Sequence, residues 1–243
     1  MRKSRDSGSS PVPSKNPRPS ASNVEMKSAL YEQLARVGQA LGSAGRLQIL
    51  EFVAQGERSV DALAGMTGLS VANTSKHLQS LRQAGLVAAR RDGLRVFYRL
   101  AGDDVVALVS ALRTVAEQRV ADVERLVRLW LSHRDEMEPV PAAELLKRAK
   151  QGLVTVLDVR PAEEYAAGHI PGAINVPVDK LESFLSRFPK RKEVVAYCRG
   201  PYCLMSFEAV EKLRAHGWRA RRLENGLPEW RAAGLPVTGE NQA

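Results

Sequence analysis

The stretch Glu193-Val194-Val195-Ala196-Tyr197-Cys198-Arg199-Gly200-Pro201-Tyr202-Cys203 decides the reading of this chain. Its first five residues form an apolar run of strand type, and a helical pattern from Leu204 to His216 leads out of it. Between them lies a short loop bounded by Cys198 and Cys203, the chain's two cysteines. A cysteine between a strand end and a helix N-terminus sits where helix-end amides favour a thiolate. The alternative is two small residues packed in a core, where free cysteines often go. Arg199, Gly200, Pro201 and Tyr202 are loop residues rather than core residues, which favours the functional reading.

Working outward, 243 residues are enough for about two domains of ordinary size. An apolar fraction of 44% and a charged fraction of 26% are those of a globular protein. No run approaches the roughly 20 apolar residues that a membrane span needs. Arg2, Lys3 and Arg5 have no apolar segment behind them, so the N-terminus does not read as a secretory signal. A reducing cytoplasm is therefore expected, where a close cysteine pair is reactive more often than it is a permanent staple.

The net charge of +9 is unevenly spread. Residues 1–22 hold five basic groups and one acid, in a Ser- and Pro-rich stretch expected to be disordered. Residues 70–99 hold Lys76, Arg82, Arg90, Arg91, Arg95 and Arg99 against Asp92 alone, whereas Asp103 to Glu138 is acidic by comparison. One basic face follows, as for a nucleic-acid partner.

Helix-period apolar residues run through Leu30, Leu34, Val37 and Leu41, then Leu47, Leu50, Phe52 and Val53 up to Gly56. Ser59 caps a short helix that stops before Gly68, and Ser70 caps the next, Val71 to Ala84, which Gly85 ends. Leu86–Arg90 and Leu94–Leu100 then alternate around Asp92-Gly93, a hairpin signal. One long amphipathic helix is expected from Asp103 to about Arg134, and Glu138-Pro139-Val140-Pro141 breaks it at the domain boundary. Beyond that, helix patterns at 142–150, 179–188, 204–216 and 228–233 alternate with strand patterns at 153–159, 173–176, 193–197 and 219–223, which predicts an α/β sheet.

Two short helices, a tight turn and a basic hairpin describe a winged helix-turn-helix. With its cap residue Ser70, the second helix offers Asn73, Thr74, Ser75, Lys76, His77 and Gln79 to a major groove, and the hairpin brings Arg90, Arg91 and Arg95 toward phosphates. Residues 39–100 resemble the ArsR/SmtB family of bacterial repressors. The resemblance is carried by Leu69-Ser70-Val71-Ala72-Asn73-Thr74-Ser75-Lys76-His77-Leu78, Leu81-Arg82-Gln83-Ala84-Gly85-Leu86-Val87 and the hairpin Arg90 to Tyr98. It implies a homodimer pairing through the helices from Val24 and from Asp103, and a double-stranded DNA operator as partner. His77 carries over as a DNA-facing residue, with an ordinary helix-surface histidine as the alternative. The metal-sensing cysteines of many members are absent from Ser59-Val60-Asp61-Ala62-Leu63-Ala64, which excludes a thiolate site there. Asp122, His133 and Glu136 have a spacing reminiscent of the family's second metal site, but the motif is incomplete and no metal is assigned.

In the second half, a strand ending in Asp158 and Arg160 puts ionisable groups at the carboxyl edge of the sheet, where ligand sites form; an ion pair capping a turn is the competing reading. With the cysteine loop, the run 153–177, Gly226-Leu227-Pro228-Glu229-Trp230 and Ala233-Gly234-Leu235-Pro236-Val237, residues 139–239 look like the rhodanese family. That resemblance implies a sulfane sulfur carried as a persulfide on Cys198, with Asp158 and Arg160 bracing the loop and no cofactor. Many thiosulfate-using members have a cation at the last loop position, where this chain has Cys203; Arg199 is the loop's one positive charge. Cys203 either resolves the persulfide or is a small residue opening the helix.

The expected architecture is two domains. A mainly α winged helix-turn-helix with a β-hairpin wing and dimerisation helices occupies 23–137, behind the 1–22 tail. An α/β rhodanese-like domain with a central, largely parallel sheet occupies 138–243. The expected function is sulfur- or redox-responsive DNA-binding regulation, with a small sulfane-sulfur donor, a thiol acceptor and sulfurtransferase activity through Cys198. Two alternatives stand beside it: a sulfurtransferase whose helical domain mainly dimerises, and a repressor whose rhodanese fold has lost its chemistry.

Overall fold

Apolar side chains at helical spacing build the first half. In the computed structural model, which describes residues 21–131, 139–184 and 190–239, the chain opens with α1 (Ala21–Leu41) and α2 (Ala44–Val53). α3 (Val60–Thr67) and α4 (Val71–Gln83) form the helix-turn-helix. The Ser59 side chain accepts from the Ala62 amide and Ser70 from the Asn73 amide, so both helices start on the serines that the sequence offers as caps. Gly68, at φ 69°, ends α3 in the left-handed conformation that glycine adopts without strain. Leu63, Leu78 and Leu81 are fully buried against Ile49, Leu50 and Val53 of α2.

The wing is β2 (Val87–Asp92) paired antiparallel with β3 (Arg95–Leu100), turning at Asp92-Gly93. A two-residue strand, β1 (Arg58–Ser59), adds to β3 with Arg58 opposite Tyr98, so the wing sheet is ordered β1-β3-β2. The helix expected as one piece from Asp103 is two. α5 (Asp103–Arg119) ends at Val120, whose φ of −111° and ψ of 103° are extended, and α6 (Ala121–Leu131) restarts at once. The break separates α5, which packs on the second half of the chain, from α6, whose Leu126, Leu129 and Trp130 are exposed. The N-terminal tail up to residue 20 lies outside the described residues, as do His133 and Glu136.

The second half is an α/β layer. α7 (Ala142–Lys150), β4 (Val154–Asp158), α8 (Ala162–Ala167), β5 (Ile174–Asn175), α9 (Leu181–Phe184), β6 (Glu193–Tyr197), α10 (Leu204–Ala215), β7 (Ala220–Arg222) and α11 (Leu227–Ala232) follow in order. The strands align β5-β4-β6-β7, every pairing parallel, with Asp158 opposite Tyr197 and Val194 opposite Ala220. Val140, between Pro139 and Pro141, joins by a parallel bridge to Leu223. β6 is central and all five of its residues are buried, as a parallel strand covered on both faces should be.

Candidate functional site

The cysteine loop begins where β6 ends and closes at the first turn of α10. Cys203 is the N-cap of α10, and Cys198 and Cys203 are joined in a disulfide with their Cα atoms 6.2 Å apart. Both are buried, in an apolar cluster with Val159, Val176, Leu181 and Met205. The Cys203 amide donates to the Gly200 carbonyl (3.1 Å) and Leu227 donates to the Cys198 carbonyl (3.3 Å), which ties the loop to the start of α11. Gly226 explains how it fits: a Cβ there would lie 2.3 Å from the Arg199 carbonyl carbon and 2.5 Å from the Gly200 nitrogen. Only a residue without a side chain lets the two backbones approach this closely.

Asp158 and Arg160 stand together at the carboxyl edge of the sheet, both fully buried. Arg160 Nη2 lies 2.6 Å from Asp158 Oδ2 and donates to the Gly168 carbonyl at 2.7 Å. Burial opposes the charge on Arg160, but the carboxylate of Asp158 overcomes it and the guanidinium is held above its ordinary pKa. Breaking such a buried pair would leave an uncompensated charge, worth about 3–5 kcal/mol.

Arg199 does not face outward as a free cation. Its guanidinium grips Glu164 of α8 through two nitrogens, at 2.7 and 3.0 Å, and lies 5.1 Å from the centre of the Phe52 ring in α2. Glu164 is 1% exposed, a buried carboxylate that the sequence does not advertise beyond its phase on a short helix. Tyr202, at the loop's rim, donates to Glu117 of α5. Burial and the neighbouring Glu117 carboxylate push its hydroxyl well above its ordinary pKa, so it remains a donor. Between this rim and helices α2 and α5 lies a cavity of about 370 Å³, walled mainly by Leu50, Val105, Val109, Leu112 and Ala116.

The contact that sequence reading missed altogether is Gln55. It lies in the turn just after α2 in the DNA-binding half and is 3% exposed. Its Nε2 donates to the Arg199 carbonyl (3.1 Å), and its Oε1 accepts from Arg160 Nη1 (3.1 Å). Further links join the halves, among them Arg113 of α5 to Glu229 of α11 at 3.0 Å and Arg231 to Asp103 at 2.8 Å. A polar residue one place before a glycine carries no such signal in one dimension.

In the helix-turn-helix, Asn73, Lys76 and Gln79 are exposed along one side of α4, while Ser75 and His77 are half-buried. His77 lies against Gly45 at the start of α2. Thr74 is fully buried and donates to the Ser70 carbonyl (3.0 Å), so it packs the motif and drops out of the candidate contacts. Ser70 is exposed and its hydroxyl is engaged as the cap of α4. Arg91 and Arg95 are exposed on the wing. Arg90 is exposed too, but its guanidinium is held by Glu57 (2.7 Å) and Asp92 (3.3 Å). Among the described residues no three His, Cys, Asp or Glu side chains gather as a metal would need, and no helix is long and apolar enough to cross a membrane.

Comparison with known proteins matches two separate stretches of the chain. Residues 43–89 match the family described as bacterial regulatory protein, arsR family, and residues 141–233 match the rhodanese-like domain. The HTH-type transcriptional regulator Rv0324 of Mycobacterium tuberculosis is 47% identical over 217 residues, covering 89% of this chain and 95% of that protein. A sulfurtransferase of Allochromatium vinosum is 34% identical over 85 residues, 35% of this chain and 78% of its own. Among solved structures, the homodimeric winged helix-turn-helix DNA-binding domain (fragment 1–100) of Mb0332 from Mycobacterium bovis is 48% identical, covering 40% of this chain and 89% of that one at a TM-score of 0.37.

Proposed function

Because the chain belongs to the arsR family of bacterial regulatory proteins and carries a rhodanese-like domain behind its helix-turn-helix, we propose that this DNA-binding regulator responds to sulfane sulfur taken up on Cys198. It acts in the cytoplasm as a homodimer on a double-stranded operator, with α4 in the major groove and Arg91 and Arg95 of the wing on phosphates. Dimerisation is supported by the exposed Leu30 and Leu34 of α1 and by Leu126 and Trp130 of α6, apolar surface that a C2 interface would cover.

The observation that carries the reading is the bonded pair Cys198–Cys203 at the N-terminus of α10, in a loop that rests on the DNA-binding half. The Cys198 thiolate attacks the outer sulfur of a small persulfide R–S–SH. A new bond forms between Sγ and that outer sulfur, the S–S bond of the donor breaks, and the thiolate RS⁻ leaves. A thiol acceptor can take that outer sulfur and restore Cys198, which is sulfurtransferase turnover. Alternatively the Cys203 thiolate attacks Sγ of Cys198 and expels HS⁻: the two thiols are oxidised to the disulfide and the sulfane sulfur is reduced to sulfide. Loop amides and the end of α10 stabilise the anionic forms. Thiosulfate suits the site poorly, because Arg199 is already committed to Glu164.

A DNA-shift titration with reduced, persulfidated and Cys198→Ser protein tests the reading. Affinity that differs between the first two and no longer responds to the donor in Cys198→Ser is the expected result. Equal affinity in all three rejects the response to sulfur. Sulfur transfer to cyanide that persists in Cys198→Ser rejects the carrier role.

A further inference from the structure

Four consecutive residues, Gln55-Gly56-Glu57-Arg58, run from the cysteine loop to the wing, and each is fixed at its own point. Gln55 holds the Arg199 carbonyl and Arg160. Its amide is buried among two main-chain oxygens, those of Arg199 and Glu51, and a guanidinium that Asp158 and Gly168 already orient, so it has one well-satisfied position. Gly56 has φ 144°, a conformation other residues rarely adopt, and a Cβ there would meet the Cβ of Ala167 at 3.2 Å. The carboxylate of Glu57 holds wing residue Arg90 through Nη2 at 2.7 Å and Nε at 3.2 Å. Arg58 lies 3.9 Å from Glu164, the same carboxylate that Arg199 grips, and its backbone pairs with Tyr98 of β3.

We propose that this segment is the link through which the state of the cysteine loop reaches DNA, with Gln55 as the positioning residue at the sulfur end and Glu57 as the residue that withholds or releases Arg90 at the wing end. The inference rests on the reading of Cys198–Cys203 as the site of sulfur chemistry. The reasoning is steric and electrostatic. Making or breaking the bond between Cys198 and Cys203 changes the path of the backbone between them, and the Arg199 carbonyl lies on that path. Gln55 must follow that carbonyl or leave one N–H of its buried amide without a partner, the other donating to the Glu51 carbonyl at 3.3 Å, and such a loss costs roughly 1–3 kcal/mol. Gln55 is joined to β1 through Gly56 and Glu57, and β1 is the outer strand of the wing sheet. A shift there changes how well Glu57 competes with a DNA phosphate for Arg90. No other exposed arginine of the wing tip is tied in this way: Arg91 bonds the Gly93 carbonyl of its own turn at 3.2 Å, and Arg95 lies exposed opposite Asp92.

The test measures two quantities on the full chain. One is the ratio of dissociation constants of the disulfide and reduced forms for a duplex selected from a random library by the wild-type protein. The other is the pH profile of Cys198 alkylation in the reduced form. A wild-type ratio on the order of tenfold is typical of allosteric coupling. Gln55→Leu, near in size but unable to bond, is expected to bring the ratio to about one and to shift the alkylation profile. Gln55→Glu keeps an acceptor for Arg160 and loses the nitrogen that donates to the Arg199 and Glu51 carbonyls; it should lose the ratio as well, and it serves if the leucine variant does not fold. Glu57→Ala should lose the ratio while keeping the wild-type alkylation profile, because it touches the wing and not the loop. A full ratio in either Gln55 variant, or in Glu57→Ala, overturns the link. A wild-type ratio of one, with Cys198 still accepting sulfur, instead overturns the sulfur-responsive reading on which the link rests.

Discussion

Gly226 has no side chain because the cysteine loop occupies the place where one would go. Substituting alanine puts a Cβ within 2.5 Å of three backbone atoms of Arg199 and Gly200, and backbone cannot step aside as the tip of a side chain can. Gly226→Ala is expected to cost about 1–3 kcal/mol, as overpacking does, and to slow sulfur uptake by Cys198 far more than that loss of stability explains. Denaturant midpoints and uptake rates on the same protein check it; wild-type uptake would show that loop and glycine are not in register. Cys203→Ser separates the two roles left open for Cys203. Exposed to a persulfide donor, the wild-type protein should end as the disulfide, whereas the serine variant should accumulate one extra sulfur on Cys198 by intact mass. Identical products at identical rates would leave Cys203 as the residue that opens α10 and nothing more.

At the scale of elements, the helix-turn-helix and the wing were legible because their signals are local. Ser59, Ser70, Gly68 and Asp92-Gly93 act within a turn of themselves, and a stretch of sequence contains everything they need. The strand Arg58–Ser59 was not legible: two residues have no periodicity, and this pair is a strand because β3 lies beside it. The break at Val120 escaped for the related reason that the apolar stripe runs on through it, while the packing of α5 on α11 is a matter of the second domain. The wing carries its own prediction. In the disulfide-bonded protein Arg91→Ala and Arg95→Ala should each weaken DNA binding on every sequence and reduce the slope of log affinity against log salt by about one. Arg90→Ala should reduce it less than either, because Glu57 and Asp92 already neutralise that guanidinium. Equal slope losses for all three would mean that Arg90 leaves Glu57 for phosphate without regard to the loop.

Over the whole molecule, the two halves share one polar seam, in which Gln55, Asp103, Arg113 and Glu117 of the first half meet Arg199, Arg231, Glu229 and Tyr202 of the second, and none of these pairings was visible in sequence. Each partner looks like an ordinary surface residue until both domains are folded, whereas Cys198, Asp158 and Arg160 were legible because a motif brings them to one sheet edge. Stability against acid is set on the far side of the second half. Glu193 opens the central strand and is 8% exposed, between Arg148 of α7 and Arg221 of β7 (2.9 Å). Burial alone would raise its pKa, but the hydrogen bonds and charges of the two arginines outweigh that and hold it below the ordinary value. A carboxylate lowered on folding contributes stability that is complete above its unfolded pKa, near 4.5, and is lost as pH falls through the folded value. Urea midpoints should therefore be flat with respect to this group from neutrality down to about pH 5 and fall below it. Glu193→Gln should be destabilised by on the order of 3 kcal/mol at pH 7 and should lose less than the wild type on further acidification, so that the two curves converge. Parallel curves would place the acid-sensitive carboxylate elsewhere.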